Sequence, residues 1–141
     1  MIGKLLGVDY GDRRTGLAIS DASGFLASGI GYISESGMKH TAIRVAQEAE
    51  ARGAEGIVIG LPRNMDGTEG FRADAVKAFG ALLAEETPLP IFYFDERLST
   101  VQAHTLLILS GTHGKKRKER VDTLSAEIIL QDYLDRERNR R

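Results

Sequence analysis

The chain has 141 residues, of which 42% are hydrophobic and 28% are charged, and its formal net charge is −1. This length predicts one domain spanning residues 1–141, and the composition excludes a wholly disordered chain. The absence of cysteine excludes disulfides, thiolate metal sites and a cysteine nucleophile. No apolar run approaches the roughly 20 residues of a membrane span and the first residues show no leader pattern, so we expect a cytoplasmic protein without a membrane partner.

The charge is distributed unevenly along the chain. Residues 1–110 hold 10 Lys and Arg against 14 Asp and Glu, whereas residues 111–141 hold 9 against 6. An acidic body with a basic end would suit an anionic polymer as a partner, but the difference is too small to decide this alone.

The first third of the chain has the pattern of three strands joined by short turns. Apolar side chains predominate in residues 4–10, 15–20 and 25–34. Turn-forming residues separate these three runs at Gly11–Arg14 and Asp21–Gly24. Such short connections predict an antiparallel meander.

After Gly37, helical spacing alternates with short apolar strands. The resulting order, βββ-α-β-α-β-α-α, predicts an α/β fold with a mixed sheet and helices on both faces. A flavodoxin-like fold would alternate from the start, so the opening meander argues against it. The predicted elements are a helix with Met38, Ala42, Val45, Ala46 and Ala49 on its apolar face and Gly53 as terminator, a buried strand 56–61, a loop 62–68, a helix with Phe71, Ala75, Ala78, Phe79 and Leu82 on its apolar face, a buried strand 90–94, a helix from Ser99 or Thr100 to about Leu109, a basic loop 111–120, and a last helix beginning at Asp122.

Asp9 is the first candidate for chemistry. It lies between Gly7 and Gly11 at the end of an apolar strand, a place where aspartate is depleted. One interpretation is a metal ligand beside glycines that allow a phosphate to approach the backbone; the other is a cap for the following turn. The local sequence does not choose between them.

Asp95, Glu96 and Arg97 follow the second buried strand, at the end where open α/β sheets bind ligands. Adjacent strand residues point to opposite faces, so only one of the two acids can join Asp9. We expect Glu96 to be that ligand and Asp95 to be a helix-start charge with Arg97 as its partner.

The basic run Lys115–Lys118 and the acid that follows it, Asp122, each have two interpretations. Asp122 is either a helix N-cap or a third acidic ligand, and the run is either a solvated loop or a contact to a phosphate backbone. The loop 62–68 precedes a helix N-terminus able to bind an anion, although it can also be a plain helix entry.

Taken together, these segments resemble the YqgF/RuvX family of Holliday junction resolvases, whose members are also described as pre-ribosomal-RNA nucleases. The resemblance covers nearly the whole chain, and four blocks in the right order make it specific. Residues 7–21 fit G-x-D-x-G-x-x-R-x-G-x-A-x-S-D, residues 60–68 fit G-L-P-x-x-M-D-G-T, residues 95–100 fit D-E-R-L-S-T, and Val121-Asp122 with Ile129-Leu130-Gln131 fits the closing helix.

The resemblance implies a ribonuclease H-like fold and an acidic catalytic and metal site formed by Asp9, Glu96 and Asp122. Such a site would hold Mg²⁺ or Mn²⁺ and hydrolyse phosphodiester bonds, with two ions roughly 3.5–4 Å apart and Asp9 bridging them. The implied substrate is structured nucleic acid, either precursor rRNA or branched DNA. The residues expected to hold its backbone are Arg14, Arg97, Lys115, Lys116, Arg117 and Lys118.

Two other functions stay open at this point. A catalytically silent RNA-binding assembly factor would keep the fold and bind RNA without cleaving it. Actin-like ATPases and sugar kinases also begin G-x-D-x-G, but they need two copies of the fold, and 141 residues hold only one. The sequence does not decide between RNA and DNA, or between a monomer and a homodimer.

Overall fold

The structure, a computed structural model, describes residues 3–64, 66–96 and 114–140; for residues 114–122 it describes the backbone only. The elements follow in the order β1 Leu5–Asp9, β2 Thr15–Ser20, β3 Ala27–Ile33, α1 Met38–Ala51, β4 Gly56–Leu61, α2 Phe71–Glu86, β5 Ile91–Asp95 and α3 Gly114–Asn139. The helix predicted over residues 99–109 lies outside the described residues.

The five strands form one mixed sheet in the order β3-β2-β1-β4-β5. The two short connections make β1, β2 and β3 antiparallel neighbours, whereas β4 and β5 lie parallel to β1 because a helix precedes each of them. The predicted mixed sheet, with three antiparallel strands followed by two parallel ones, is confirmed. We call the end of the sheet at which β1, β4 and β5 finish the carboxyl edge.

Helices cover both faces of this sheet. Leu6 and Val8 of β1 point to the face covered by α1 and α2, where Phe79 is fully buried. Leu5 points to the other face, where Leu130 of α3 belongs to the same buried cluster. Because side chains alternate along β1, this strand contributes residues to two separate apolar cores.

Close approach of α3 to the sheet depends on two glycines. A Cβ atom on Gly7 would lie 2.7 Å from the Cβ of Leu130, and one on Gly60 would lie 2.6 Å from the Cδ1 of Ile129. Both distances are below normal contact, so these positions bring the helix directly onto β1 and β4.

Helix α2 begins at Phe71 as predicted, but its buried face differs from the predicted one. The buried residues are Ala73, Val76, Phe79, Gly80 and Leu83, whereas Phe71 is 86% exposed. The helical period explains the error: Phe71 lies about 80° from Phe79 around the axis, on the side away from Ala73 and Val76.

Two further predictions need correction. Strand β5 lies at the sheet edge, so it is not buried throughout: Phe92 is 39% and Tyr93 is 40% exposed. The segment predicted as a basic loop is helical from Gly114, so Asp122 lies inside α3 and is not its N-cap. Lys, Arg and Glu are good helix formers, and a run of them without Pro favours a helix over a loop.

No helix in the described part of the chain is long and apolar enough to cross a membrane.

Candidate functional site

Asp9 is the last residue of β1 and lies at the carboxyl edge. The register pairs Val8 with Ile59, so the next pair along these parallel strands is Asp9 with Gly60, at the usual strand spacing of about 4.8 Å. Because side chains alternate, Asp9 shares the α3 face of the sheet with Gly7. The fold thus presents this half-buried carboxylate at the carboxyl edge, on the face that α3 covers.

Glu96 follows β5 immediately and turns back over β4. Its Oε2 atom lies 3.1 Å, and its Cδ atom 3.3 Å, from the place where a Cβ on Gly60 would stand. Gly60 pairs with Phe94 on one side, and on the other it is level with Asp9, one position beyond the Val8–Ile59 pair. The carboxylate of Glu96 therefore occupies space that a side chain on the strand between β1 and β5 would fill.

The protonation of Glu96 is shifted by its surroundings. Burial raises the pKa of its carboxyl above the ordinary value; the charge of Arg72 opposes this rise, and the charge of Asp95 adds to it. A partly buried carboxyl of this kind is compatible with a cation site, since a bound cation favours its ionised form.

Asp95 points elsewhere and belongs to an ion-pair group. Its Oδ2 atom lies 3.7 Å from Nη1 of Arg63, and Nη2 of Arg63 lies 3.2 Å from Oε2 of Glu69. These contacts tie both ends of the β4–α2 loop, residues 62–70, to the end of β5. They support the structural role expected of Asp95, although with Arg63 as the partner; the predicted partner Arg97 lies outside the described residues.

The path of α3 decides where Asp122 is placed. Thr123 lies against Gly29 of β3, and the carbonyl oxygen of Ala126 would be 3.1 Å from a Cβ on Gly7. Farther along, Gln131 bonds to Ala27 and Phe25, at the opposite edge of the sheet. The helix therefore runs away from the carboxyl edge, and Asp122 precedes Thr123 on the side of that edge.

The side chain of Asp122 lies outside the described residues, so the convergence of three carboxylates stays a prediction. Among the side chains that the structure does describe, no three His, Cys, Asp or Glu residues form a group that could hold a metal ion. The predicted site consists of two described acids and a third whose backbone alone is placed.

Arg14 lies in the turn between β1 and β2. Its guanidinium carbon is 5.0 Å from the centre of the Tyr32 ring, a cation–π distance. The turn is tight, because a Cβ on Gly11 would meet the carbonyl oxygen of Arg14 at 2.3 Å. Since Asp9 and Tyr32 both pair with Gly16, this guanidinium lies at the carboxyl edge.

The remaining predicted contacts to nucleic acid are not described. Arg97 lies outside the described residues, and so do the side chains of Lys115, Lys116, Arg117 and Lys118, whose backbone forms the first turns of α3.

Sequence reasoning did not identify Arg72 as a residue of this edge, and it placed Phe71 in the core. Arg72 is seven residues before Phe79, a spacing that places it on the sheet side of α2. Its charge acts on the carboxyl of Glu96 and also lowers the pKa of Tyr10, which burial and then Asp12 raise. The sequence did contain a signal for Arg72: the loop after β4 leads into the N-terminus of α2, and the helical period puts Arg72 on the same side of that helix as Phe79.

Comparison with known proteins places the chain in a family. The family model described as "RuvX: Holliday junction resolvase" matches residues 3–136. The chain belongs to the RuvX family. A similar protein from Lactiplantibacillus plantarum is 46% identical over 136 residues, covering 94% of each chain. One from Ligilactobacillus salivarius is 42% identical over 137 residues, covering 95% of this chain and 93% of the other. Both relatives carry the name "Putative pre-16S rRNA nuclease".

A solved structure confirms the fold expected of a RuvX protein. RuvC of T. thermophilus, solved in complex with a Holliday junction substrate, matches with a TM-score of 0.59 at 12% identity and covers 96% of both chains. At this identity the match supports the architecture alone, which is the predicted ribonuclease H-like one.

Proposed function

We propose that this RuvX protein is a metal-dependent endonuclease that hydrolyses phosphodiester bonds in structured nucleic acid, with Asp9, Glu96 and Asp122 as its acidic site. The observation that carries the proposal is the placement of the Glu96 carboxylate over Gly60, the residue beside Asp9 on the neighbouring strand. Two carboxylates on one face of one sheet edge, with the backbone of a third acid approaching along α3, form an all-oxygen donor set.

These residues fit a hard divalent cation. Carboxylate oxygens are the ligands that Mg²⁺ and Mn²⁺ prefer, and a bound cation would favour the ionised form of Glu96, whose pKa burial raises. Asp9, Glu96 and Asp122 would hold one or two ions, with Asp9 in the central position. When bound, the ions would supply an activated water and stabilise charge on the departing oxygen.

The cationic residues of the carboxyl edge would position the substrate. Arg14 lies at this edge over Tyr32, the charge of Arg72 acts on Glu96, and the basic start of α3 would extend this surface. Contacts to phosphates fix the position and orientation of a nucleic acid without reading its bases. We therefore expect selection by the shape of the substrate.

The names of the relatives favour precursor 16S rRNA, cleaved to mature its 5′ end, as the substrate. The family description favours the resolution of Holliday junctions in DNA recombination as the other activity of the same site. The proposal includes a location: the protein acts in the cytoplasm, as expected from its sequence. Junction resolution needs two coordinated cuts and so a homodimer, whereas rRNA maturation is possible for a monomer.

A side-by-side cleavage assay tests the proposal. Purified protein is incubated with a precursor 16S rRNA fragment and with a four-way DNA junction, with Mg²⁺, with Mn²⁺ and with chelator. We expect cleavage that requires the ion and that falls at least about 100-fold in D9N, E96Q and D122N, because each removes a charged ligand.

Two matched variants serve as controls. D12N removes an exposed aspartate three residues from Asp9, and D95N removes the acid next to Glu96 that pairs with Arg63. Both should cleave within a few-fold of the wild type. Cleavage that survives in all three site variants would contradict the assignment, and ion-independent RNA binding without any cleavage would favour the assembly-factor alternative.

A further inference from the structure

Phe71 stands out on the surface of the described residues. Its ring is 86% exposed, more than Phe25 at 59% or Leu26 at 63%, the other large apolar side chains at turns. A phenylalanine buries a large apolar area when it has a partner, and leaving the ring in water forgoes that stabilisation. The ring is carried by the first residue of a 16-residue helix.

The helix that carries this ring, α2, begins near the end of β5. Glu69, two residues earlier, is joined through Arg63 to Asp95 at the end of β5. Arg72, the next residue, acts electrostatically on Glu96 and Tyr10. Phe71 therefore lies in the first turn of a helix that begins at the carboxyl edge, where the loop before it is joined to the end of β5.

The surroundings favour a nucleic-acid base over other occupants. A flat aromatic surface followed in the same helical turn by an exposed arginine provides the two kinds of group that single strands use, a ring on which a base can stack and a charge for the phosphate. A base inside a duplex has both faces covered by its neighbours, so an unpaired nucleotide offers the ring the more accessible surface.

We propose that Phe71 is a stacking platform for an unpaired base of the substrate at the carboxyl edge of the sheet. The inference rests on the proposed function, because it places the base of a nucleic acid at an edge assigned to nuclease chemistry. It predicts a preference for substrates in which a single strand adjoins a duplex.

The test uses variants that separate aromatic stacking from apolar bulk. F71L keeps an apolar side chain but removes the aromatic face, and F71W restores one. F25L makes the same change at an exposed phenylalanine of the opposite sheet edge, where Phe25 contacts Arg138. Binding is measured in chelator, so that no cleavage occurs, with an RNA hairpin bearing a single-stranded flank and with the same hairpin without its flank. A 2-aminopurine at successive flank positions reports stacking by the loss of its fluorescence.

We expect the wild type, F71W and F25L to quench 2-aminopurine at one or two flank positions. F71L should lose this quenching and bind the flanked hairpin about tenfold more weakly, as expected for one lost stacking contact. All four proteins should bind the blunt hairpin equally. Unchanged melting temperatures establish that F71L is folded.

Quenching and affinity in F71L equal to those of the wild type would overturn the inference, and so would an equal loss of affinity for the blunt hairpin. A wild type without preference for the flank would also overturn it and leave the ring to a protein partner. The proposed function is tested separately by cleavage: F71L that binds like the wild type, with D9N inactive, removes only the stacking inference. A stacking contact confirmed in a protein that does not cleave removes only the nuclease activity.

Discussion

Gly60 holds the position between the two described acids, and its lack of a side chain serves two neighbours. A Cβ there would meet Ile129 of α3 at 2.6 Å and the carboxylate of Glu96 at 3.1 Å. The glycine therefore allows both helix packing and the turn of Glu96 toward β1.

We predict that G60A lowers stability by about 1–3 kcal/mol, the usual cost of overpacking, and also displaces Glu96. The matched control is G7A, which crowds Leu130 in the same interface without touching Glu96. Urea unfolding should show the larger loss for G7A, because its new Cβ meets the Cβ of Leu130, whereas in G60A the new Cβ meets the tip of the Ile129 side chain. Cleavage assayed well below both melting temperatures should fall much more in G60A, and equal activity of the two would contradict the role given to Gly60.

Arg72 is expected to bind substrate phosphate from its exposed place beside Glu96. R72Q should weaken nucleic-acid binding and reduce the slope of log affinity against log salt concentration by about one, the effect of one lost phosphate contact. Titrations at several salt concentrations measure this slope. R52Q removes an exposed arginine at the end of α1 and should leave the slope unchanged; a slope equally unchanged in R72Q would exclude the phosphate contact.

The connection between β2 and β3 is organised by Asp21. Its Oδ1 atom accepts hydrogen bonds from the backbone N–H groups of Phe25 and Leu26, each at 2.9 Å, and the Ser23 hydroxyl donates to Oδ2. The bonds from Leu26, Ser23 and Phe25 lower the pKa of Asp21 to about 2. The predicted turn Asp21–Gly24 thus forms around an ionised carboxylate.

This turn gives a pH dependence whose sign is fixed. The folded-state pKa is below the unfolded value of 3.8, so the contribution of Asp21 is complete above that value and is lost as the pH falls toward 2. D21N should be less stable than the wild type near pH 6, and the difference should shrink as the pH falls below about 4. Urea midpoints at several pH values test this, with E85Q as the exposed control; a difference that stays constant with pH would contradict it.

Helix α3 is anchored to the start of β3 by one amide side chain. Gln131 accepts from the N–H of Ala27 at 2.9 Å and donates to the carbonyl of Phe25 at 2.9 Å. Q131M would leave both backbone groups without this partner and should lower stability by about 1–3 kcal/mol. Q47M, an exposed change on α1, should stay within about 0.5 kcal/mol of the wild type in the same urea titration. Equal stability of the two variants would show that the anchor contributes nothing.

For the molecule as a whole, the sequence was sufficient for the architecture because period and turn chemistry agree with the fold. Strand β4 and helix α1 are found where the β-branched run and the apolar spacing placed them. The predictions were wrong where an apolar residue is exposed and where a basic segment is helical. Phe71 was counted as core because it is apolar, and the start of α3 was taken as a loop because it is basic.

The candidate site was predictable only in part, for a physical reason. Strand alternation is the basis for predicting Glu96 and not Asp95 as a ligand; the Glu96 carboxylate lies over Gly60, and its role as a ligand stays a prediction. Arg63 as the partner of Asp95 was not predictable, because it depends on how the β4–α2 loop folds back on β5. Long-range contacts of this kind are set by tertiary packing and leave no local pattern.

Mn²⁺ binding followed by electron paramagnetic resonance tests, without any cleavage assay, whether Asp9, Glu96 and Asp122 together bind a divalent cation. We predict saturable binding to the wild type and to D12N, and at least about a tenfold weaker affinity in each of D9N, E96Q and D122N, since each loses a charged oxygen ligand. A wild type that binds no Mn²⁺, or three site variants that bind it as tightly as D12N does, would contradict the assignment of these acids as a cation site.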